Sequence, residues 1–317
     1  MKEDKATPKV PQPGPSPIPQ ASMVLQLSAS ALNEIVEKKV TCPFLGTLVA
    51  TGQLSVRNEA TNPLANIEKV KMCGNTGGGD LGDLLVFFAA GNHAFMRSRT
   101  GQLDQRVPDG LFSLELPGSQ GSHPGHSGIL QGDPATLNSG RLSQADFARL
   151  ASHAKDGLLK RSEVGAFIAE NLHRDPKAKV FGLRIAGLLA RDLGHFVASV
   201  GPDLLTSLGL SGASANAVNR NLEEKLTRSM GEDNLVGSAG EFGLMFAFLA
   251  NKPGAREVNG EPAVCLEDLR SMFLDKQFPK GWESWRKTRS DWVINTTSLM
   301  MSAGKAYLAL QRTKEQA

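Results

Sequence analysis

Cysteine is scarce in this 317-residue chain, and the three present, Cys42, Cys73 and Cys265, are odd in number and widely spaced. That excludes a disulfide framework and any paired zinc-ligand spacing. Long apolar runs are also missing. None approaches the roughly 20 residues that a membrane-spanning helix needs. The polar, proline-rich stretch Lys2 to Gln20 lacks the apolar segment of a signal peptide, so a cytoplasmic, reducing location is expected. A basic block is absent too. The net charge of +3 comes from mixed signs, and one tyrosine and three tryptophans offer little for base stacking, so nucleic-acid binding is not expected. Finally, no alternating strand pattern of any length competes with helical periodicity. These absences point to an all-α fold: a disordered leader over residues 1–22 and a single helical domain over 23–317.

What is present is organised around Thr41 to Arg57, TCPFLGTLVATGQLSVR. Proline is favoured at the first position of a helix because its missing N–H would have had no partner there. Pro43 therefore makes Cys42 an N-cap, where free amides and the helix dipole favour a thiolate and mark a metal ligand or nucleophile. A buried structural cysteine starting an ordinary helix is the plainer reading of the same residues. Leu45, Leu48 and Val49 form an apolar stripe behind it, and Gly52 offers a C-cap.

Further along, the glycine cluster Cys73 to Asp80 lacks the Gly-Lys-Ser/Thr ending of a phosphate loop and reads as a flexible connection. Leu81 to Met96 is apolar nearly all round and predicts a buried helix carrying His93. Arg97 to Gly140 is a long irregular passage, holding His123, His126 and Gln131-Gly132-Asp133, and is expected to form part of a site. Helical periodicity returns over Leu142 to Asn171. There Asp156-Gly157 and Glu163 faintly echo a calcium loop, but Ser152 and Ala154 at its first ligand positions argue against the ion. Lys179 to His195 and Leu204 to Met230 read as helices. Gly237 to Ala250 is a wholly apolar helix with one carboxylate, Glu241, at its entrance, which suits either a cap or, if desolvated, an acid-base group. A loop through Pro253 to Pro262, a helix over Leu266 to Leu274, the segment Phe278 to Trp282 and a final helix from about Trp292 to Gln311 complete the chain.

Taken in order, several of these segments resemble the heme-thiolate peroxidases, the fungal chloroperoxidase and unspecific peroxygenase family, over about residues 40 to 310. The resemblance rests on Cys42, Pro43, Leu45, Leu48, Gly52 and Leu54; on His126 to Asp133; on Glu241 before its apolar helix; and on Phe278-Pro279 with Gly281-Trp282. It implies the chloroperoxidase fold and heme b ligated by the Cys42 thiolate. It also implies Glu241 as the distal acid-base group, with hydrogen peroxide and a small organic substrate as reactants. The sequence departs from the family at two places. Neutral Gln131 stands where the family's cation-binding glutamate is found, which argues against magnesium or manganese at Gln131-Gly132-Asp133. Gly132 and Asn234 stand where the family places a histidine or arginine partner for the glutamate. His93, His123, His126, Arg220 and Arg228 remain candidates for that role, or Glu241 acts alone. A heme-binding or sensing protein of this fold without peroxide activation, and a helical interaction protein without heme, are the alternative readings.

Overall fold

The structure, a computed structural model, describes residues 28–40, 42–59, 62–95, 111–117, 143–175, 178, 180, 234–249 and 251–316. The helices expected over Lys179 to His195 and Leu204 to Met230, and the leader over residues 1–22, lie outside them. Helices dominate what is described: α1 Ala29–Lys38, α2 Pro43–Ala50, α3 Ile67–Gly74, α4 Gly82–Asn92, α5 Gln144–Ser152, α6 Arg161–Arg174, α7 Asn234–Leu249, α8 Leu266–Phe273 and α9 Arg289–Gln316. Two small antiparallel sheets correct the all-α expectation. Strands β1 Val56–Glu59, β2 Asn62–Asn66, β3 His93–Phe95 and β4 Leu111–Pro117 pair in the order β1-β2-β4-β3. Strands β5 Leu158–Lys160, β6 Arg256–Val258 and β7 Glu261–Cys265 pair in the order β5-β7-β6.

The second sheet is built from turns that require left-handed backbone. Asn259 (φ 57°) and Gly260 (φ 75°) close the β6–β7 hairpin, where a plain loop was expected. A two-residue Asn-Gly turn with both φ positive matches the twist of flanking strands. Asp156 (φ 51°) and Gly157 (φ 73°) do the same between Lys155 and Leu158. The faint calcium loop is thus a tight turn, and Glu163 is engaged elsewhere: its carboxylate accepts from the Lys160 amide at 2.9 Å as α6 begins. The first sheet corrects the position of His93, which follows α4 on β3 rather than lying inside a helix to Met96.

The glycine cluster is pinned rather than flexible. Gly77 has φ 68°, and a Cβ there would overlap the Trp285 carbonyl; one on Gly79 would overlap the carbonyl of Lys287. The Asp80 amide donates to that Lys287 carbonyl at 3.0 Å. Across the same contact the Arg289 guanidinium meets the Asp83 carboxylate at 2.7 Å. Gly77→Ala is therefore expected to cost about 2–4 kcal/mol, combining positive-φ strain with overpacking. Urea denaturation would measure it, and Gly78→Ala, whose added Cβ meets nothing within 4 Å, separates the strain from the clash.

Long α9 spans the core and packs against α6 and α7. Gly165 and Gly243 allow the close approach, since a Cβ on either would collide with Ser302 or Thr296 of α9. One continuous apolar cluster runs from Val36 and Phe44 through Phe167, Phe242 and Phe246 to Trp292 and Leu299.

Candidate functional site

Cys42 caps α2 in extended conformation (φ −78°, ψ 112°) with Pro43 at the first helical turn, and its carbonyl accepts the Gly46 amide at 2.9 Å. Leu45, Leu48, Val49 and Leu54 are all buried. The helix ends at Ala50, Thr51 is its cap, and Gly52 follows in the left-handed region (φ 72°). Thr47 fixes α2 from its other side by donating its hydroxyl to Pro43 O at 2.9 Å and Met272 O at 3.2 Å, which ties it to α8.

Three of the segments singled out in the sequence meet here through their aromatic rings. Phe44 of α2 lies 5.2 Å from Phe248 of α7, 5.6 Å from Phe278 and 6.0 Å from Trp282. Phe278 and Trp282 stack at 4.5 Å, and the Trp285 indole donates to Phe248 O at 2.8 Å. Aromatic contacts at these spacings are worth about 0.5–1.5 kcal/mol each beyond the area they bury. Phe248 stands seven residues after Glu241, so the two share a face of α7. The Phe44–Phe248 contact thus falls on the face of α7 that carries Glu241.

Glu241 is not at the entrance of its helix. α7 begins at Asn234, which places Glu241 in the middle of sixteen residues and removes the capping reading. Every other residue of that helix is buried, whereas Glu241 is half-buried. Asn234, two turns earlier, is itself buried.

Electrostatics connect the two residues. Burial pushes the Cys42 thiol up to about 12, and the negative charge of Glu241 adds to the rise. The backbone amides of Leu45 and Phe44 at the start of α2 and the Lys276 ammonium act the other way, although the sulfur accepts no capping hydrogen bond. Desolvation outweighs the pull of the helix N-terminus that was expected to favour a thiolate, because Cys42 is only 7 % exposed. A buried neutral thiol is a poor nucleophile, so nucleophilic catalysis by Cys42 does not fit. A metal ion changes the balance by displacing the proton outright. Accordingly, Cys42 of the apoprotein is expected to stay unmodified by iodoacetamide at pH 8 while half-buried Cys265 is labelled, as peptide mass spectrometry would show.

Lys276 is a site residue that sequence reasoning missed. It has positive φ (52°), and its Cδ and Nζ lie 3.9 Å from where a Cβ on Gly46 would stand, so its side chain covers the first turns of α2. Burial lowers its pKa, and the charges of Cys42 and Glu37 oppose that shift. Nothing in the residue pattern marks a lysine for left-handed backbone.

Two clefts border these elements. One, of about 710 Å³, lies between α5, the second sheet and α8; another, of about 790 Å³ and lined in part by Lys276, runs along α1, the end of α2 and residues 274–283. Neither contains Cys42 or Glu241. His123, His126, Gln131, Gly132, Asp133, Arg220 and Arg228 lie outside the described residues, and His93 is placed only by its strand. Among the described residues no three of His, Cys, Asp and Glu gather as a metal cluster, and no helix is long and apolar enough to cross a membrane. Comparison of the chain with protein-family models, with curated proteins and with solved structures returned no match.

Proposed function

We propose that this chain is a peroxide-dependent heme-thiolate oxidoreductase of the chloroperoxidase-like fold, with Cys42 as the axial ligand of heme iron and Glu241 as the acid-base group. The observation that carries this reading is one buried neighbourhood. It holds a single thiol at a helix N-terminus and a carboxylate brought from a distant helix within electrostatic reach. The donor set fits the group. Burial pushes the Cys42 pKa up to about 12, and a bound Lewis acid would displace that proton.

When bound, thiolate-ligated heme supplies the electron density that favours heterolysis of the peroxide O–O bond. The protein's part is to position and to move a proton. Glu241 Oε takes the proton from one peroxide oxygen and returns it to the other as that oxygen departs. Phe242, Leu244 and Met245 beside it on α7 are buried and give that carboxylate an apolar flank. The departing oxygen would leave as water, and the remaining oxygen, a two-electron oxidant, would be consumed in oxidising a small organic substrate.

A second reading has its own support. Cys42 belongs to the continuous apolar core, as expected of a structural cysteine in a helical protein without heme. Titration of the full chain with hemin, followed in the Soret region, separates the two: saturation at one equivalent per chain supports the enzyme, and no saturable band overturns it.

A further inference from the structure

The largest exposed apolar side chains among the described residues are Met72, Ile294, Met301 and Leu308. Three of the four lie on α9, at intervals of seven. Ile294 and Met301 are each 59 % exposed and Leu308 is 42 % exposed. Seven residues make almost two turns, so the three side chains form one stripe about 21 Å long. The opposite face of α9 carries Trp292, Leu299 and Ala303 into the core against α6 and α7. The stripe is therefore an outward face with nothing of the described chain upon it.

We propose that this stripe is a self-association surface, on which a second copy of the chain lays its own α9 antiparallel across Met301. Its spacing is symmetric about Met301. A two-fold axis through that residue sets Met301 against its own copy and Ile294 against the partner copy's Leu308, then repeats the pair, as an isologous interface requires. Charge selects this arrangement over the parallel one. In parallel, Lys305 would oppose Lys305 and Arg312 would oppose Arg312. Antiparallel, Lys305 falls opposite Thr297, and Arg312 falls beside Asp291, whose Oδ2 accepts from Asn251 at 2.9 Å and from Thr288. A single helix pair of this length lies at the low end of interface size, so the dimer is reversible and concentration-dependent. The surface is independent of heme.

Sedimentation velocity on the full chain across a wide concentration range tests it. Reversible dimerisation is expected, with Met301→Lys raising the dissociation constant by more than about tenfold. Cross-linking fixes the geometry in a Cys73→Ser, Cys265→Ser background under mild oxidation. Met301→Cys should form a disulfide with its own copy. Ile294→Cys mixed with Leu308→Cys should form a mixed disulfide in preference to either symmetric one. A monomer at all concentrations overturns the proposal, as do symmetric Leu308→Cys dimers or association indifferent to Met301→Lys. So would a chain that stays monomeric yet binds phosphatidylserine vesicles through Met301, since the face would then belong to a membrane surface.

Discussion

Glu241→Gln is expected to lower peroxide-dependent turnover of the heme-loaded protein by about 10²–10⁴-fold, the usual contribution of a positioned acid-base group. The substitution is nearly isosteric and α7 is otherwise buried along its length, so the packing that seats this helix on α6 and α9 is retained. What is lost is the ability to accept a proton and return it. Heme content and the thiolate spectrum should be unchanged in the variant, which separates a chemical defect from a folding defect. Turnover reduced by less than about tenfold, with heme content normal, would assign the proton transfer to another group.

The second large effect falls on stability. Lys287 is fully buried, and its ammonium donates to the carbonyl oxygens of Trp282 and Trp285, the latter at 2.8 Å, and to the Thr76 hydroxyl at 3.2 Å. It also lies 4.4 Å and 4.9 Å from the centres of the Trp282 and Trp285 rings. This one side chain fastens the glycine cluster to the aromatic segment beneath the site. Lys287→Ala is expected to destabilise the fold by about 3–5 kcal/mol, through a cavity and buried acceptors left without a donor. Lys287→Met fills the space and isolates the lost hydrogen bonds. Burial pushes the Lys287 pKa down to about 8 from its ordinary 10.5. Between those pH values the unfolded chain holds a proton that the folded chain has shed, so stability rises with pH in that window. Urea titrations should therefore show wild type gaining on Lys287→Met from about pH 8 to 10.5, with no change in their difference below pH 8.

The legible parts of the sequence were those with local causes. Pro43 announced the start of α2, and the apolar pattern of Leu266 to Leu274 matched α8 closely. The Asn-Gly and Asp-Gly pairs are hairpin signals, but the strands they join are only three to five residues long and too short to show alternation. His93 falls on β3 because α4 ends at Gly91-Asn92, a helix-stop pair inside the stretch otherwise expected to stay helical to Met96. Gly237 resembled a helix start, yet α7 begins three residues earlier, since Asn234, Leu235 and Val236 find burial against other elements. The pinned glycine cluster depends on contacts with residues 285–287. The approach of Lys276 to α2 and the rise in the Cys42 pKa depend likewise on long-range packing, which no local pattern encodes.

The most direct test of the central claim is the visible spectrum of the heme-supplemented protein in its reduced carbon monoxide complex, recorded beside Cys42→Ala. Thiolate ligation by Cys42 predicts a strongly red-shifted Soret band in the wild type and its absence in the variant, with helical content by circular dichroism largely intact. A reduced complex without that shift, or one that keeps it in Cys42→Ala, would contradict the assignment of Cys42 as the ligand.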